Sequence, residues 1–166
     1  MNRYNIRQAN INDLDGIKKL LMQINNLHAN IRPDIFIYDK MKYSDQELIN
    51  LINDNNRITF VCVDENDMVL GHAFCIFKEI IKTNNTKERK ELYIDDLCVL
   101  DEFQGQGIGS KLCDFIFDYG NKNGFDYITL NVWSGNESAI SFYENKGFSI
   151  RNIHMEKRIG DLNEEN

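Results

Sequence analysis

The chain has 166 residues and a formal net charge of −7, and 42% of its residues are hydrophobic. This length is enough to bury one substantial core, so we expect a single domain over residues 1–166, with 160–166 as a frayed tail. The acidic balance argues against nucleic acid or an anionic membrane as a partner, because both require basic patches. It is compatible with a cationic substrate, although the need for solubility alone explains a modest acidic excess.

Cysteine spacing and hydropathy narrow the class of protein further. The chain contains no signal peptide and no apolar span of about 18 residues, which predicts a cytoplasmic protein. Its four cysteines are too far apart for a zinc site or a redox pair, so we expect reduced core residues and no metal. They are Cys62, Cys75, Cys98 and Cys113.

Hydrophobic periodicity and turn residues predict alternating strands and helices along the whole chain. The first half contains a strand at 3–8, a helix at 11–27 opened near Asn12, a helix from the capping box at 44–47, and strands at 58–63 and 69–81. The second half contains a strand at 92–100, a helix from 108 to 123, a strand at 128–132, a helix at 136–146, and one or two strands within 148–159. Polar residues 82–90 connect the third strand to the fourth through solvent.

A glycine-rich turn lies between the strand at 92–100 and the helix that follows. Gly105, Gly107 and Gly109 allow the backbone to approach a ligand closely, and the first N–H groups of a helix have no intrahelical partner. Such a turn binds an anionic group without a basic side chain. It has neither the ending of a P-loop nor the spacing of a dinucleotide fingerprint. If the glycines stood alone, a plain tight turn would explain them equally well.

Two sequence blocks together resemble a known enzyme family. The pattern Gln104-x-x-Gly107-x-Gly109 is followed downstream by the block from Asn136 to Phe148, which reads NESAISFYENKGF. Both are similar to motifs of the GCN5-related N-acetyltransferases (GNAT), and the resemblance covers most of residues 3–159. It implies an α/β fold with a mixed, mostly antiparallel central sheet of six to seven strands, and with helices packed on both faces, about four in all.

The resemblance also implies acetyl-CoA as cofactor, with its pyrophosphate on the turn from Gln104 to Ser110. The pantetheine arm would lie between the splayed fourth and fifth strands and pair with the backbone of Leu97 and Val99. Gln104 and Gln106 stand where many members of the family carry a basic residue. The residues expected to bind the cofactor are Leu97, Cys98, Val99, Gln104, Gly105, Gln106, Gly107, Ile108, Gly109, Ser110, Asn136, Ser138, Phe142 and Tyr143.

Catalytic roles follow from the same resemblance. Tyr143 is expected to protonate the departing thiolate, and the backbone N–H of Leu97 is expected to polarise the thioester carbonyl. Considered by helical spacing alone, Phe142 and Tyr143 would be core aromatics. Asn136 is a strong N-cap residue whether or not it also contacts the cofactor.

The acceptor amine must lose a proton, and Asp95 stands where polyamine-acetylating members carry an acidic base. Tyr93 occupies the place of the glutamate found in histone-acetylating members. Strand alternation sends Asp95 and Asp96 to opposite faces of the sheet, so Asp96 is expected to be a hydrogen-bonded carboxylate on the other side. A water chain is the alternative base.

Two further residues are candidates for the acceptor pocket. His28 falls between the first two predicted helices, where a plain connection would also explain it, and Trp133 follows the fifth strand, where it could equally be core. With Tyr93 and Asp95 they form the expected substrate site, and His72 is expected to pack in the hairpin. The sequence thus predicts acetyl transfer to a primary amine of a small molecule. The alternatives are a protein acetyltransferase and a non-catalytic acyl-CoA-binding module; a dinucleotide-dependent oxidoreductase is a distant third. The oligomeric state is open, a homodimer included.

Overall fold

A computed structural model describes residues 4–160 of the chain, and of the predicted tail it covers residue 160 only. Strands and helices alternate as the periodicity predicts. They are β1 (Asn5–Gln8), α1 (Leu14–Ile31), α2 (Asp45–Ile52), β2 (Arg57–Val63), β3 (Val69–Ile80), β4 (Arg89–Val99), α3 (Ile108–Lys122), β5 (Tyr127–Leu130) and α4 (Glu137–Asn145). Short 3-10 turns at Ile11–Asp13 and Asp101–Phe103 precede α1 and follow β4.

The strands form one sheet in the order β1-β2-β3-β4-β5. The first four strands pair antiparallel with their neighbours, whereas β5 pairs parallel with β4. The connection from β4 to β5 runs through α3, because parallel neighbours require a crossover of this kind. The expected α/β fold with a mostly antiparallel sheet is therefore confirmed.

Helices cover both faces of the sheet. The sheet therefore lies between two apolar cores. On one face α1 and α2 bury Ile17, Leu20 and Leu48 against alternate residues of β2 such as Val61 and Val63. On the other face α3 buries Ile108, Leu112 and Ile116 against Ile58, Phe60 and Leu92. Both faces of β2 are covered, which explains its nearly continuous apolar sequence. All four cysteines are free and buried, as expected.

The entry to α1 is fixed by a buried ion pair. Asn10 caps the 3-10 turn, and Arg7 donates to both carboxylate oxygens of Asp13 at 2.7 and 2.9 Å. Burial opposes ionisation of Asp13, but hydrogen bonds from Arg7 and from the Asn10 N–H outweigh it and lower the pKa of that carboxyl. The predicted capping box of α2 is also present, with Ser44 and Glu47 each bonded to the other's backbone N–H.

The prediction of one or two further strands within 148–159 is wrong for the described residues, so the sheet has five strands rather than six to seven. The large apolar residues Ile150, Ile153, Met155 and Ile159 are 73 to 93% exposed. Ile153, Met155 and Ile159 have the even spacing of one strand face and Ile150 does not, yet none of the four is covered by the described residues. Side-chain contacts attach the segment instead: Arg151 donates to Glu91 at 2.8 Å, and Glu156 pairs with Arg32.

Among residues 4–160, no helix combines the length and the hydropathy that a membrane crossing requires.

Candidate active site

A cavity opens where β4 and β5 part. The two strands pair only from Glu91 with Tyr127 to Ile94 with Leu130, and β4 then continues to Val99 with β3 as its only partner among the described strands. The cavity, of about 490 Å³, lies between this open stretch, α1, α4 and the segment that joins α1 to α2. All residues predicted for catalysis or for the acceptor line it, namely His28, Tyr93, Asp95, Leu97, Trp133 and Tyr143.

A bulge in β4 brings two carboxylates to this cavity. The register with β3 shifts so that Asp96 faces Phe74 and Ile94 faces Cys75, which leaves Asp95 as the extra residue. Ile94 and Leu97 both pack in the α3 core, and Asp95 and Asp96 between them both line the cavity. The prediction that alternation separates these two residues is wrong, because one inserted residue changes the phase of the strand.

The two carboxylates have different neighbours. Asp95 Oδ2 lies 3.7 Å from Nζ of Lys42, which belongs to the segment between α1 and α2. Asp96 is more deeply placed, and its Oδ2 lies 3.6 Å from Nε2 of His72. His72 is wholly buried in β3 and packs on the ring of Phe74, as expected for a residue of the hairpin. Asp95 is thus the more accessible of the two carboxylates, with 23% of its side chain exposed against 9% for Asp96.

Two further titratable groups of the cavity, His28 and Tyr93, are uncharged at neutral pH. Burial lowers the pKa of His28, so its imidazole is uncharged at pH 7. Burial, and then the charge of Asp95, raise the pKa of Tyr93, whose hydroxyl also accepts a hydrogen bond from Asn131 at 3.2 Å. Among the lining residues, the two carboxylates are the groups that can pair with the positive charge of an ammonium.

Aromatic side chains form one wall of the cavity. The ring of Phe36 lies 5.3 Å from that of His28 and 5.5 Å from that of Trp133, and Arg32 lies over the Trp133 ring. His28 belongs to the last turns of α1, not to a connection between helices as predicted, because α1 extends to Ile31. Phe36 and Lys42 are not among the predicted site residues, since residues 32–44 show no periodic pattern that indicates which side chains point inward.

Tyr143 reaches the cavity from α4. The helix begins at Asn136, whose side chain accepts from the backbone of Ala139 at 3.2 Å, as predicted for an N-cap. The Tyr143 ring packs between those of Phe142 and Phe148 at 5.1 and 5.4 Å. Burial raises the pKa of Tyr143 strongly, so its hydroxyl stays protonated and can act as a proton donor at neutral pH.

The glycine-rich turn ends beside this cavity. Gly105 and Gly107 have φ of 74° and 81°, and Gly107 caps α3 without any side-chain hydrogen bond. A Cβ added at either glycine would meet no atom within 4 Å, so the space beside both residues is open. A Cβ at Gly109 would lie 3.6 Å from the Phe142 ring, which is ordinary contact. The uncapped N–H groups at the start of α3 therefore suit an anion.

The two glutamines of the turn hold it in shape. The amide of Gln104 donates to the Val99 carbonyl at 3.1 Å and to Asp101, and Gln106 accepts from the Tyr4 hydroxyl at 2.9 Å. The Val99 carbonyl also accepts from Gln23 at 2.9 Å. This carbonyl is therefore already occupied, and an extended ligand along β4 would use other backbone groups of the open edge.

Lys146, which is not among the predicted site residues, lies next to the glycine-rich turn. Lys146 donates from Nζ to Ser110 Oγ at 2.8 Å and pairs with Asp114, and only 17% of its side chain is exposed.

Cys98 and Ile108 bury their side chains in the two cores, so each could contact a ligand only through its backbone. Ser138 is exposed in the first turn of α4.

The fold and the site together define an α/β protein with a ligand cavity at the point where two parallel strands splay, beside the uncapped start of a helix. A family model described as the acetyltransferase (GNAT) family matches residues 23–148. The chain belongs to this family, and the family membership expected from the two motifs is confirmed.

Curated relatives of this chain are named as N-acetyltransferases. The chain is 36% identical over 86 residues to the probable N-acetyltransferase san of Drosophila melanogaster and to N-alpha-acetyltransferase 50 of Danio rerio. Each match covers 51% of this chain, but only 44% and 48% of the relative. The chain thus spans less than half the length of either relative.

Solved structures confirm the fold over nearly the whole chain. A Bacillus halodurans protein superposes with a TM-score of 0.90 at 26% identity and covers 93% of this chain, with 99% of its own length matched. An aminoglycoside acetyltransferase from a soil metagenome, solved with sisomicin, gives a TM-score of 0.68 at 23% identity over 96% of this chain and 98% of its own. At that identity the second likeness concerns the fold alone.

Proposed function

We propose that this chain is an acetyl-CoA-dependent N-acetyltransferase that transfers the acetyl group directly to a primary amine of a small molecule within a ternary complex. The observation that carries the proposal is one cavity that joins Asp95, Asp96 and Tyr143 at the open edge of β4. The uncapped turn at Gly107 lies at the end of the same edge. A site for an anionic acyl carrier and a site for proton transfer are thus adjacent.

The residues of the turn fit the pyrophosphate of coenzyme A. Gly105 and Gly107 leave open space beside them, and no side chain caps the start of α3, where the first N–H groups of a helix lack intrahelical partners. Lys146 places positive charge beside Ser110 in the first turn of the helix. Bound acetyl-CoA would supply a thioester as acyl donor.

The chain's own residues would move the protons of the reaction. Asp95, or a water molecule held by it, takes the proton that the attacking amine must lose, and the Leu97 backbone N–H polarises the acyl carbonyl. Tyr143 donates its proton to the departing sulfur. No charge then accumulates on the sulfur, and the tyrosine regains its proton from solvent.

The proposal also specifies the kind of amine that accepts the acetyl group. The aromatic wall of His28, Phe36 and Trp133 and the paired carboxylates suit a small amine with an apolar portion next to its cationic nitrogen. A second candidate is the N-terminal amine of a protein, which the similarity to N-alpha-acetyltransferase 50 favours.

Substitution of Tyr143 by Phe tests the proposal, because it deletes the hydroxyl and keeps the ring between Phe142 and Phe148. Release of coenzyme A is measured with polyamines, amino sugars, amino acid derivatives and peptides with a free N-terminus. We expect kcat to fall about 10²–10⁴-fold, with little change in acetyl-CoA affinity. Tyr119→Phe is the matched control, since Tyr119 packs against Phe60 and Phe77 in the α3 core.

The results separate the alternatives. Equal kcat for both variants would remove Tyr143 from the chemistry. Turnover of peptides alone would replace the small-molecule acceptor by a protein N-terminus. Acetyl-CoA binding without turnover of any amine would favour a binding module.

A further inference from the structure

A lysine of the chain itself occupies the acceptor side of the cavity. Lys42 Nζ lies 3.7 Å from Asp95 Oδ2, and Lys42 lines the same cavity as Leu97 and Tyr143. The proposed reaction requires a primary amine next to Asp95. Lys42 is such an amine, and it is present before any acceptor enters.

The position of Lys42 is built into the fold. The segment from 32 to 44 is fastened to α1 by Asn25, which donates to the Ile37 carbonyl at 2.8 Å, and by Asn26. Asn26 both donates to the Asp39 carboxylate at 3.0 Å and accepts from the Asp39 backbone at 2.8 Å. These bonds attach the segment to α1 where it lines the cavity, and Lys42 follows Asp39 by three residues.

We propose that Lys42 is a self-acetylation site: the chain transfers an acetyl group from its own bound acetyl-CoA to Lys42 Nζ. The inference rests on the proposed function, because it uses the same donor and the same proton-transfer groups. An N–C bond forms at Nζ and the thioester C–S bond breaks. The proton lost by the amine passes to Asp95 and then to solvent, and the sulfur receives a proton from Tyr143.

Tethering favours this amine over a free one. A group held in place by the fold acts at an effective concentration of millimolar or more, without the entropy cost of bringing a second molecule to the site. Lys40 lines the cavity as well, but it makes no ion pair with any residue among 4–160. Lys40 is therefore an internal control within the same segment.

The charges around Lys42 set the pH dependence. Burial disfavours its ammonium form, but Asp95, Tyr43 and Asp96 outweigh burial and raise its pKa. Tyr93 on β4 and His28 on α1 also face this group and stay neutral near pH 7. The neutral amine is thus scarce, and the rate should rise about tenfold per pH unit below the pKa of Lys42.

Acetylation would change the site that produces it. An acetylated Lys42 has no charge, so its ion pair with Asp95 is lost and the carboxylate becomes free to receive an external ammonium. The unmodified lysine, in contrast, competes with a cationic acceptor for Asp95.

The experiment incubates the full chain with acetyl-CoA and no other amine, and follows acetyl groups by peptide mass spectrometry. We expect label at Lys42 to form at least about tenfold faster than at Lys40, with a first-order rate constant that does not change on dilution of the protein. Lys42→Arg keeps a positive charge beside Asp95 but has no amine of this reactivity, and it should lose the label. Lys40→Arg should keep it.

A mixture of two chains tests whether the transfer is internal. Gly107→Val retains Lys42 but is expected to bind acetyl-CoA poorly, and uniform ¹⁵N labelling of the wild-type chain distinguishes the Lys42 peptides of the two chains. It should stay unlabelled beside a labelled wild-type chain. Label on the Gly107→Val chain, or equal label at Lys40 and Lys42, would overturn the inference.

The companion assay is release of coenzyme A with the amine panel. If external amines are acetylated while Lys42 stays unmodified, self-acetylation is refuted and the proposed function stands. If acetyl-CoA binds but neither Lys42 nor any amine is acetylated, both are refuted.

Discussion

Substitution of Gly107 by Val tests the anion site at the start of α3. The glycine has φ of 81°, in the left-handed region, and an added Cβ would meet no protein atom within 4 Å. The valine side chain would therefore project into open space beside the turn, where we place the pyrophosphate. The protein should fold, because nothing in the chain is displaced.

The expected magnitudes follow from the geometry. Left-handed backbone costs a non-glycine residue about 1–2 kcal/mol, which corresponds to a fall in Tm of about 2–8 °C for a chain of this length. Loss of one charge-assisted hydrogen bond to the ligand costs about 1.5–3 kcal/mol, which weakens acetyl-CoA binding by about 10–100-fold.

Gly124→Val is the matched control. Gly124 has φ of +71° and also meets no atom within 4 Å, but it follows the other end of the 15-residue helix α3. The two glycines are thus separated by about 22 Å along the helix. Both variants should lose similar stability in thermal unfolding, and only Gly107→Val should lose affinity in calorimetric titration with acetyl-CoA.

Equal affinity of the wild type and Gly107→Val would show that the turn does not hold the cofactor. Equal loss of affinity in both variants would show that the effect comes from backbone strain in α3.

Two further substitutions address the base and the entry to α1. Asp95→Asn should slow acetyl transfer most at low pH, where the acceptor is almost wholly protonated, and higher pH should partly restore the rate. If Asp95→Asn instead had the pH–rate profile of the wild type and Asp96→Asn showed the loss, Asp96 would be the base. Asp13→Asn should lower the free energy of unfolding at pH 7 by about 2 kcal/mol, because Arg7 then loses a buried carboxylate partner. Asp67→Asn is the control: Asp67 is 80% exposed, so its substitution should change the free energy of unfolding by less than about 0.5 kcal/mol. The folded-state pKa of Asp13 is lowered, so its stabilisation is present above the ordinary carboxyl value of 3.8 and is lost as the pH falls through the folded value. Urea unfolding of the wild type and Asp13→Asn at several pH values checks this. A difference in unfolding free energy between the two that persisted in strong acid would contradict it.

Much of this molecule follows from short-range information in the sequence. The capping residues Ser44 and Asn136, the apolar run that forms β2, and the glycine-rich turn each depend on neighbours within a few residues, and each is found as predicted. Local backbone preferences and side-chain periodicity determine such features directly. The two motifs that indicated the family are local in the same sense.

The arrangement of the cavity depends on contacts between distant parts of the chain. Whether a strand carries a bulge is decided by its pairing with the neighbouring strand, so Asp95 and Asp96 share a site although alternation separates them. Lys42 reaches Asp95 because Asn25 and Asn26 of α1 hold the segment that carries it. Likewise, residues 148–159 have strand-like composition but no strand, because a strand requires backbone hydrogen bonds to a neighbouring strand, and composition alone does not supply that partner. The sequence by itself determined the elements and the family, and the tertiary structure decided which charges meet.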